Sequence, residues 1–211
     1  LPMFNKYYDK VVVLSQPERK DRRKEFDKHA DLINLRYEYF DSIPKDTPRD
    51  SFNHSHYEIL NNFSKSNVER ILVLEDDCRF RNMNVIEDIH THENAFWDES
   101  QIIYYGINAR PYPEHQEPQY ASNYLRRVLC GYTTHAIGYH RVTAEWIAQN
   151  YQPNSGIMYD AWLSEQLKKF YALVTVPFLA VQAPSHSDLW NRNVDYTDTF
   201  KASEEYLKSI Q

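Results

Sequence analysis

Apolar residues in this chain come in short β-branched runs, separated by charged stretches with helical spacing. Val11-Val12-Val13-Leu14, inside Tyr8 to Ser15, reads as a buried strand that Pro17 ends. Glu18 to Ala30 is rich in charge and helix formers and predicts a helix; Leu35 to Phe40 predicts a second strand. Ile43 to Pro48 reads as a loop, with Pro44 and Pro48 as breakers. His54 to Ser64 carries Ile59, Leu60 and Phe63 at the spacing of one buried helical face. Arg70 to Leu74 is the strongest strand, and Gln101 to Ile107 is another. Ala109 to Tyr120, with three prolines and two glutamates, reads as a surface loop. Tyr132 to Tyr139 is a strand, and Thr143 to Asn150 and Asp160 to Phe170 are helices. Ala172 to Val176 and Phe178 to Val181 are extended on either side of Pro177. Lys201 to Gln211 reads as a polar helix that could equally lead into a linker and further domains. Alternating strands and helices predict an α/β domain around a central, mostly parallel or mixed sheet. Ligands of such sheets sit beyond the carboxyl ends of the strands.

The best strand ends in Glu75-Asp76-Asp77. If it stays extended, Ile71, Val73, Glu75 and Asp77 share one face, and Leu72, Leu74, Asp76 and Cys78 share the other. Two carboxylates two residues apart can converge on one hard cation such as Mn²⁺ or Mg²⁺. The competing reading is a solvated strand end before a turn. Three adjacent carboxylates repel one another and need compensation in either case.

Composition narrows the field. The 211 residues suit one domain, or one domain with a small lobe. Only four glycines are present, and neither GxGxxG nor GxxxxGK[ST] occurs, which sets aside the glycine-rich phosphate loops. The net charge of −6 disfavours a nucleic-acid partner. Cys78 and Cys130 have neither metal-type nor disulfide-framework spacing and read as reduced core cysteines. No apolar run reaches the roughly 18 residues of a membrane span. The expectation is a soluble protein of the cytoplasm, a host's cytoplasm if the chain is viral.

Several segments follow one another in the order seen in glycosyltransferase family 25, which includes lipooligosaccharide and collagen galactosyltransferases. Val13-Leu14-Ser15 with Arg19 and Asp21-Arg22-Arg23 resembles that family's first strand and Arg-rich segment. Ser55-His56, then Val73-Leu74-Glu75-Asp76-Asp77, is similar to its approach to a Leu-Glu-Asp-Asp signature. Thr134-His135-Ala136 resembles its central strand, and Asp160 and Pro184 to Asp188 its closing motifs. Gln16-Pro17 and Ser51 depart from the pattern. The resemblance implies a GT-A fold, with a nucleotide-sugar-binding part over about 1–108 and an acceptor-binding part with the C-terminal helix over about 109–211. It also implies a UDP-sugar donor, Mn²⁺ or Mg²⁺, and transfer of a hexose or deoxyhexose to a glycan or glycoprotein. Leu14 and Ser15 would then line the base pocket.

Roles follow from chemistry, each with a plainer alternative. A metal can neutralise the leaving pyrophosphate. Asp77 is the first choice of ligand, and Glu75 binds through water or touches the ribose. Asp76 holds the loop by a hydrogen bond. Arg19, Arg22 and Arg23 can fork onto phosphate oxygens or lie on a solvated helix face. His186 can complete the metal shell or be a loop histidine, while His56 and His135 read as packed or supporting. Asp160 is a helix cap, a general base toward the acceptor hydroxyl, or both, with Asp188 as a second catalytic carboxylate. Tyr159, Trp162 and Trp190 can stack on sugars or pack the core. A phosphoesterase-type hydrolase and a non-catalytic sugar-binding module are the competing functions.

Overall fold

The computed structural model describes residues 4–92, 98–111 and 115–211. The elements are β1 (Lys10–Ser15), α1 (Lys20–Leu32), β2 (Glu38–Asp41), α2 (Pro48–Ser64), β3 (Arg70–Glu75), β4 (Cys78–Phe80), α3 (Ile86–His92), β5 (Ile102–Tyr104), β6 (Gln119–Tyr120), β7 (Leu125–Arg127), β8 (Ala136–His140), α4 (Arg141–Asn150), α5 (Tyr159–Gln166), β9 (Ala172–Thr175), β10 (Ala180–Gln182), β11 (Ser185–Ser187), β12 (Arg192–Val194) and α6 (Thr197–Ser209). Eight strands form one mixed sheet in the order β2-β1-β3-β8-β5-β9-β7-β6. β1 runs parallel to β2 and β3, whereas β8 is antiparallel to both β3 and β5. β10 pairs with β4, and β11 with β12, as two small antiparallel ribbons.

Alternation along the central strands divides the core. Val12, Leu14, Ile71 and Val73 point to the face covered by α2, α4, α5 and α6, meeting Ile59, Ile147, Leu163 and Phe200. Val11, Val13, Leu72 and Leu74 point to the other face, meeting Phe26 and Ala30 of α1 and Ile86 and Ile89 of α3. Each fully buried aliphatic or aromatic side chain contributes about 1.5–3 kcal/mol by leaving water. Strands buried on both faces explain why β1 and β3 read as continuous apolar runs. Among the described residues no helix is long and apolar enough to cross a membrane. Both cysteines are free, Cys78 buried and Cys130 partly so.

Helix α2 starts six residues before the predicted His54. Thr47 is its N-cap, accepting the Asp50 N–H at 3.1 Å, and Pro48 occupies the first turn. Pro48 therefore opens the helix rather than breaking it, because its missing N–H is one the first turn leaves unpaired anyway. Tyr132 to Tyr139 is extended only from Ala136, since Thr133 takes φ +81° and interrupts the strand. Asp160 to Phe170 is an α-helix only to Gln166, followed by a 3₁₀ turn, Leu167–Lys169. The predicted loop Ala109 to Tyr120 ends in β6, and its residues 112–114 lie outside the described ones.

Helix α6 is fastened by Glu204, which accepts the Phe178 N–H at 3.2 Å, Lys208 at 2.6 Å and an ion pair from Arg81. Glu204→Ala leaves a buried N–H and a guanidinium without their acceptor. It is expected to lower unfolding free energy by about 2–3 kcal/mol, read as a lower midpoint in urea.

Candidate functional site

The carboxyl ends of β1 and β3 open into a cleft of about 300 Å³. Its floor is the acidic triplet. β3 stops at Glu75, and the chain turns at Asp76 and Asp77 before β4, so the strand alternation stops as well. All three carboxylates therefore border the same cleft, where an unbroken strand would have put Asp76 on the far face.

Their environments differ. Glu75 Oε1 accepts the Thr134 hydroxyl at 2.5 Å and lies 3.1 Å from His56 Nε2. Burial works to raise its pKa, but these partners outweigh it and hold the carboxyl below its ordinary value. His56, 1% exposed, is fixed by stacking on Tyr159 with ring centroids 5.1 Å apart. That aromatic stack continues through Trp162 to Trp146. Asp76 Oδ2 accepts Ser15 Oγ at 2.7 Å, and its Oδ1 accepts Arg22 Nη1 at 3.0 Å. Burial still leaves its pKa raised. Asp77 has only Gln182 Nε2, at 3.3 Å, and its other oxygen is buried with no hydrogen-bond partner. Burial, then the charges of Glu75 and Asp76, push its pKa up to about 7.

The arginine-rich start of α1 faces this floor. Arg22 reaches Asp76, Ser185 Oγ at 3.0 Å and the His186 carbonyl at 2.5 Å, yet its Nε is buried with no partner. Arg19 donates to Asp188 at 2.8 Å and to Asp21. Gln16 Nε2 also reaches Asp188, at 3.4 Å. Arg23 does not line the cleft: it donates to Ser15 Oγ at 3.1 Å and to Asp41 at 2.5 Å, with its guanidinium over Tyr39. Its work is to hold the β1–β2 corner.

Asp160 sits on the opposite wall. It is not the helix cap: Met158 holds that position, and Asp160 is the second residue of α5. Its Oδ1 accepts the Ala161 N–H at 2.7 Å. Burial is the main cause of its raised pKa and Glu75 adds to it, while N–H groups of Ala161 and Thr133 oppose. A buried carboxyl with a raised pKa beside a cleft is a candidate for proton transfer. Leu14 and Ser15 of β1 and Pro48, Ser51 and Phe52 of α2 also line the cleft.

The cleft thus brings together Leu14, Ser15, Arg19, Arg22, Glu75, Asp76, Asp77, Asp160 and Asp188. His186 is not among its lining residues: Ser185 and Ser187 are, and His186 between them is exposed on β11. Among the described residues no three His, Cys, Asp or Glu side chains form a ready metal cluster. Tyr159 is fully buried beneath His56, and Trp190, 56% exposed, lines the cleft rim. Sequence reasoning missed Gln182 and Thr133, to which no spacing rule points, and named Thr134 in a motif without giving it a role at the site. It also missed Pro48, Ser51 and Phe52, which the Thr47-to-Asp50 capping pattern could have placed on the first turns of α2.

No family model matches the chain, and no curated protein matches it. The resemblance to glycosyltransferase family 25 therefore rests on its short motifs. Among solved structures the chain is similar to A197 from STIV, at 9% identity over 87% of this chain and 91% of that one, with a TM-score of 0.52. It is also similar to a glycosyltransferase involved in the glycosylation of the major capsid of PBCV-1, at 14% identity over 80% and 93%, with a TM-score of 0.40. A third is the inositol-1-phosphate CTP transferase from T. maritima, at 11% identity over 96% and 78%, with a TM-score of 0.45. At these identities the likeness is one of α/β architecture, and only the first similarity is strong enough to carry it.

Proposed function

We propose that this chain is a metal-dependent glycosyltransferase that moves a hexose or deoxyhexose from a UDP-sugar to a glycan or glycoprotein. One observation carries the reading: the cleft holds a buried acceptor and a buried donor, Asp77 Oδ1 and Arg22 Nε, and neither has a partner within the protein. Unmet buried groups of opposite kind ask for a ligand that brings both cation and anion. A divalent ion with a nucleoside diphosphate is such a ligand.

The residues fit. Mn²⁺ or Mg²⁺ in transfer sites commonly takes one or two carboxylates and fills its shell with water and phosphate oxygens. Asp77 is the side chain to hold it, with Glu75 close by through water. When bound, the ion would neutralise charge on the leaving diphosphate. Arg22 and Arg19 would turn from Asp76 and Asp188 toward phosphate oxygens. Leu14, Ser15, Pro48 and Phe52 would enclose the base, and Asp160 would accept the proton of the acceptor hydroxyl. The hydrolase alternative calls for carboxylate and histidine ligands converging on two metals, and the described residues offer no such cluster.

Thermal shift tests this. UDP with Mn²⁺ at about a hundred times the dissociation constant should add about 2.7 kcal/mol, a rise of roughly 5–10 °C for a chain of this length. UDP alone should give a small fraction of it. No shift with either ligand or both sinks the donor site.

A further inference from the structure

A second cleft lies beside the first. It has a volume of about 600 Å³ and is bordered by His115, Gln116, Glu165, Gln166, Lys168 and Lys169, with Cys130 in its wall. Tyr132 lines both clefts, so the two adjoin at this residue.

The junction is rigid. Tyr132 and Asn108 exchange two backbone hydrogen bonds of 3.0 Å. Gly131 N–H donates to Ser164 Oγ of α5 at 2.9 Å, tying this segment to the helix that carries Asp160. Next to Tyr132, Thr133 takes φ +81°, a backbone region costly for a β-branched residue. The Thr133 N–H is turned to the Asp160 carboxyl, but its Oγ1 is buried in the first cleft with no hydrogen-bond partner. A strained residue that holds an unpaired hydroxyl at a junction of two clefts is built for contact with a ligand.

The lining tells what the ligand is. Amides, a hydroxyl and both signs of charge surround the second cleft, so it favours a hydroxyl-rich chain over a lipid or a polyanion. Tyr132 offers an apolar ring face with a polar tip, the amphipathic surface a pyranose matches. We infer that the two clefts form one acceptor channel, in which an oligosaccharide of at least three residues runs from Asp160, past Thr133 and over Tyr132, into the second cleft. This rests on the glycosyltransferase reading above, and it specifies an extended glycan rather than a single sugar or a small aglycone.

The test is an array of immobilised mono-, di- and longer saccharides, neutral and anionic, probed with the whole chain saturated with UDP and Mn²⁺. Saccharides of three or more residues should be retained at least tenfold better than the monosaccharides they contain. Cys130→Trp, which narrows the second cleft from its wall, should bring them down to the monosaccharide level while leaving the thermal shift with UDP and Mn²⁺ unchanged. Thr133→Gly should move two readouts in opposite directions. Melting temperature should rise by a few degrees as the strain is released, and saccharide retention should fall about tenfold with the lost hydroxyl. Equal retention of mono- and oligosaccharides overturns the channel, as does indifference to Cys130→Trp. So does retention of no saccharide by protein that still responds to UDP and Mn²⁺, and the donor reading stands in all three cases. If the protein shows no response to UDP and Mn²⁺, the donor reading fails, and the array is read without nucleotide by the same criteria.

Discussion

Asp77→Asn is expected to raise the melting temperature of the ligand-free protein at pH 8 and, in the same variant, to abolish the stabilisation by UDP and Mn²⁺. The two signs come from one cause. The folded protein pushes the Asp77 pKa from an ordinary 3.8 to about 7, chiefly through burial and then through Glu75 and Asp76. Below pH 4 the group is protonated both folded and unfolded and contributes no difference. As pH rises from about 4 to about 7, the unfolded chain ionises first, so the folded state loses relative stability; above pH 7 the loss is constant. The full separation would be worth about 4 kcal/mol. Water in the open cleft screens part of it, leaving an expected gain of about 2 kcal/mol for the asparagine. Asparagine has the shape of the neutral acid and can still accept from Gln182, but it is a poor ligand for a hard cation. Affinity for UDP in Mn²⁺ should fall by about two to three orders of magnitude, to the metal-free level, as measured by titration calorimetry. A pH-independent difference in melting temperature would discard the strained carboxyl; undiminished UDP affinity in Mn²⁺ would remove Asp77 from the metal.

Gly106→Ala should be strongly destabilising, because the added methyl meets backbone. An added Cβ would lie 2.0 Å from the Ala180 carbonyl oxygen and 3.0 Å from His135 Nε2. Neither neighbour is free to give way. The Ala180 oxygen lies 3.1 Å from His135 Nε2, and the Ala180 N–H donates to the Tyr105 carbonyl at 3.0 Å. The expected cost is about 3 kcal/mol or more, roughly 10 °C in melting temperature. The damage should also reach the site, because β10 carries Gln182 to Asp77. Gly156 separates clash from backbone strain: it has φ +78° and open space around its Cβ position. Gly156→Ala should cost only about 1 kcal/mol. Similar melting temperatures for the two variants would rule out the contact with Ala180 as the constraint.

Much of this was legible in the residues. Strands β1 and β3 announce themselves as β-branched runs because both faces of the sheet are covered, and their carboxyl ends border the cleft. Arg22, which follows β1, meets Asp76 at the end of β3 because β1 and β3 are neighbours and parallel. What the pattern hid has specific causes. β7 is three residues long, and no periodicity can be read over three. Pro48 looks like a breaker to any local rule, and only its position after Thr47 turns it into a helix start. Strand parity failed for Asp76 because nothing local to Glu75-Asp76-Asp77 says where the strand gives way to a turn. Gln182 reaches the site through the β10–β4 ribbon, and Thr133 and Thr134 through the segment leading into β8, over separations that spacing arguments do not span.

The position of β8 between β3 and β5 has a consequence for how the protein is made. β1, β2 and β3 are complete once residue 75 has been synthesised and can pair with one another. The other edge of β3 has no partner until residues 136–140 emerge, and an open apolar edge of that kind invites pairing with other chains. The same late stretch brings His135 to the Glu75 backbone and Thr134 to its carboxylate. Asp160 and Gln182 come later still. The acidic floor of the cleft is thus translated before the segments that come to surround it. Any ribosome stall or truncation before residue 136 leaves three carboxylates at the end of a strand with one open edge.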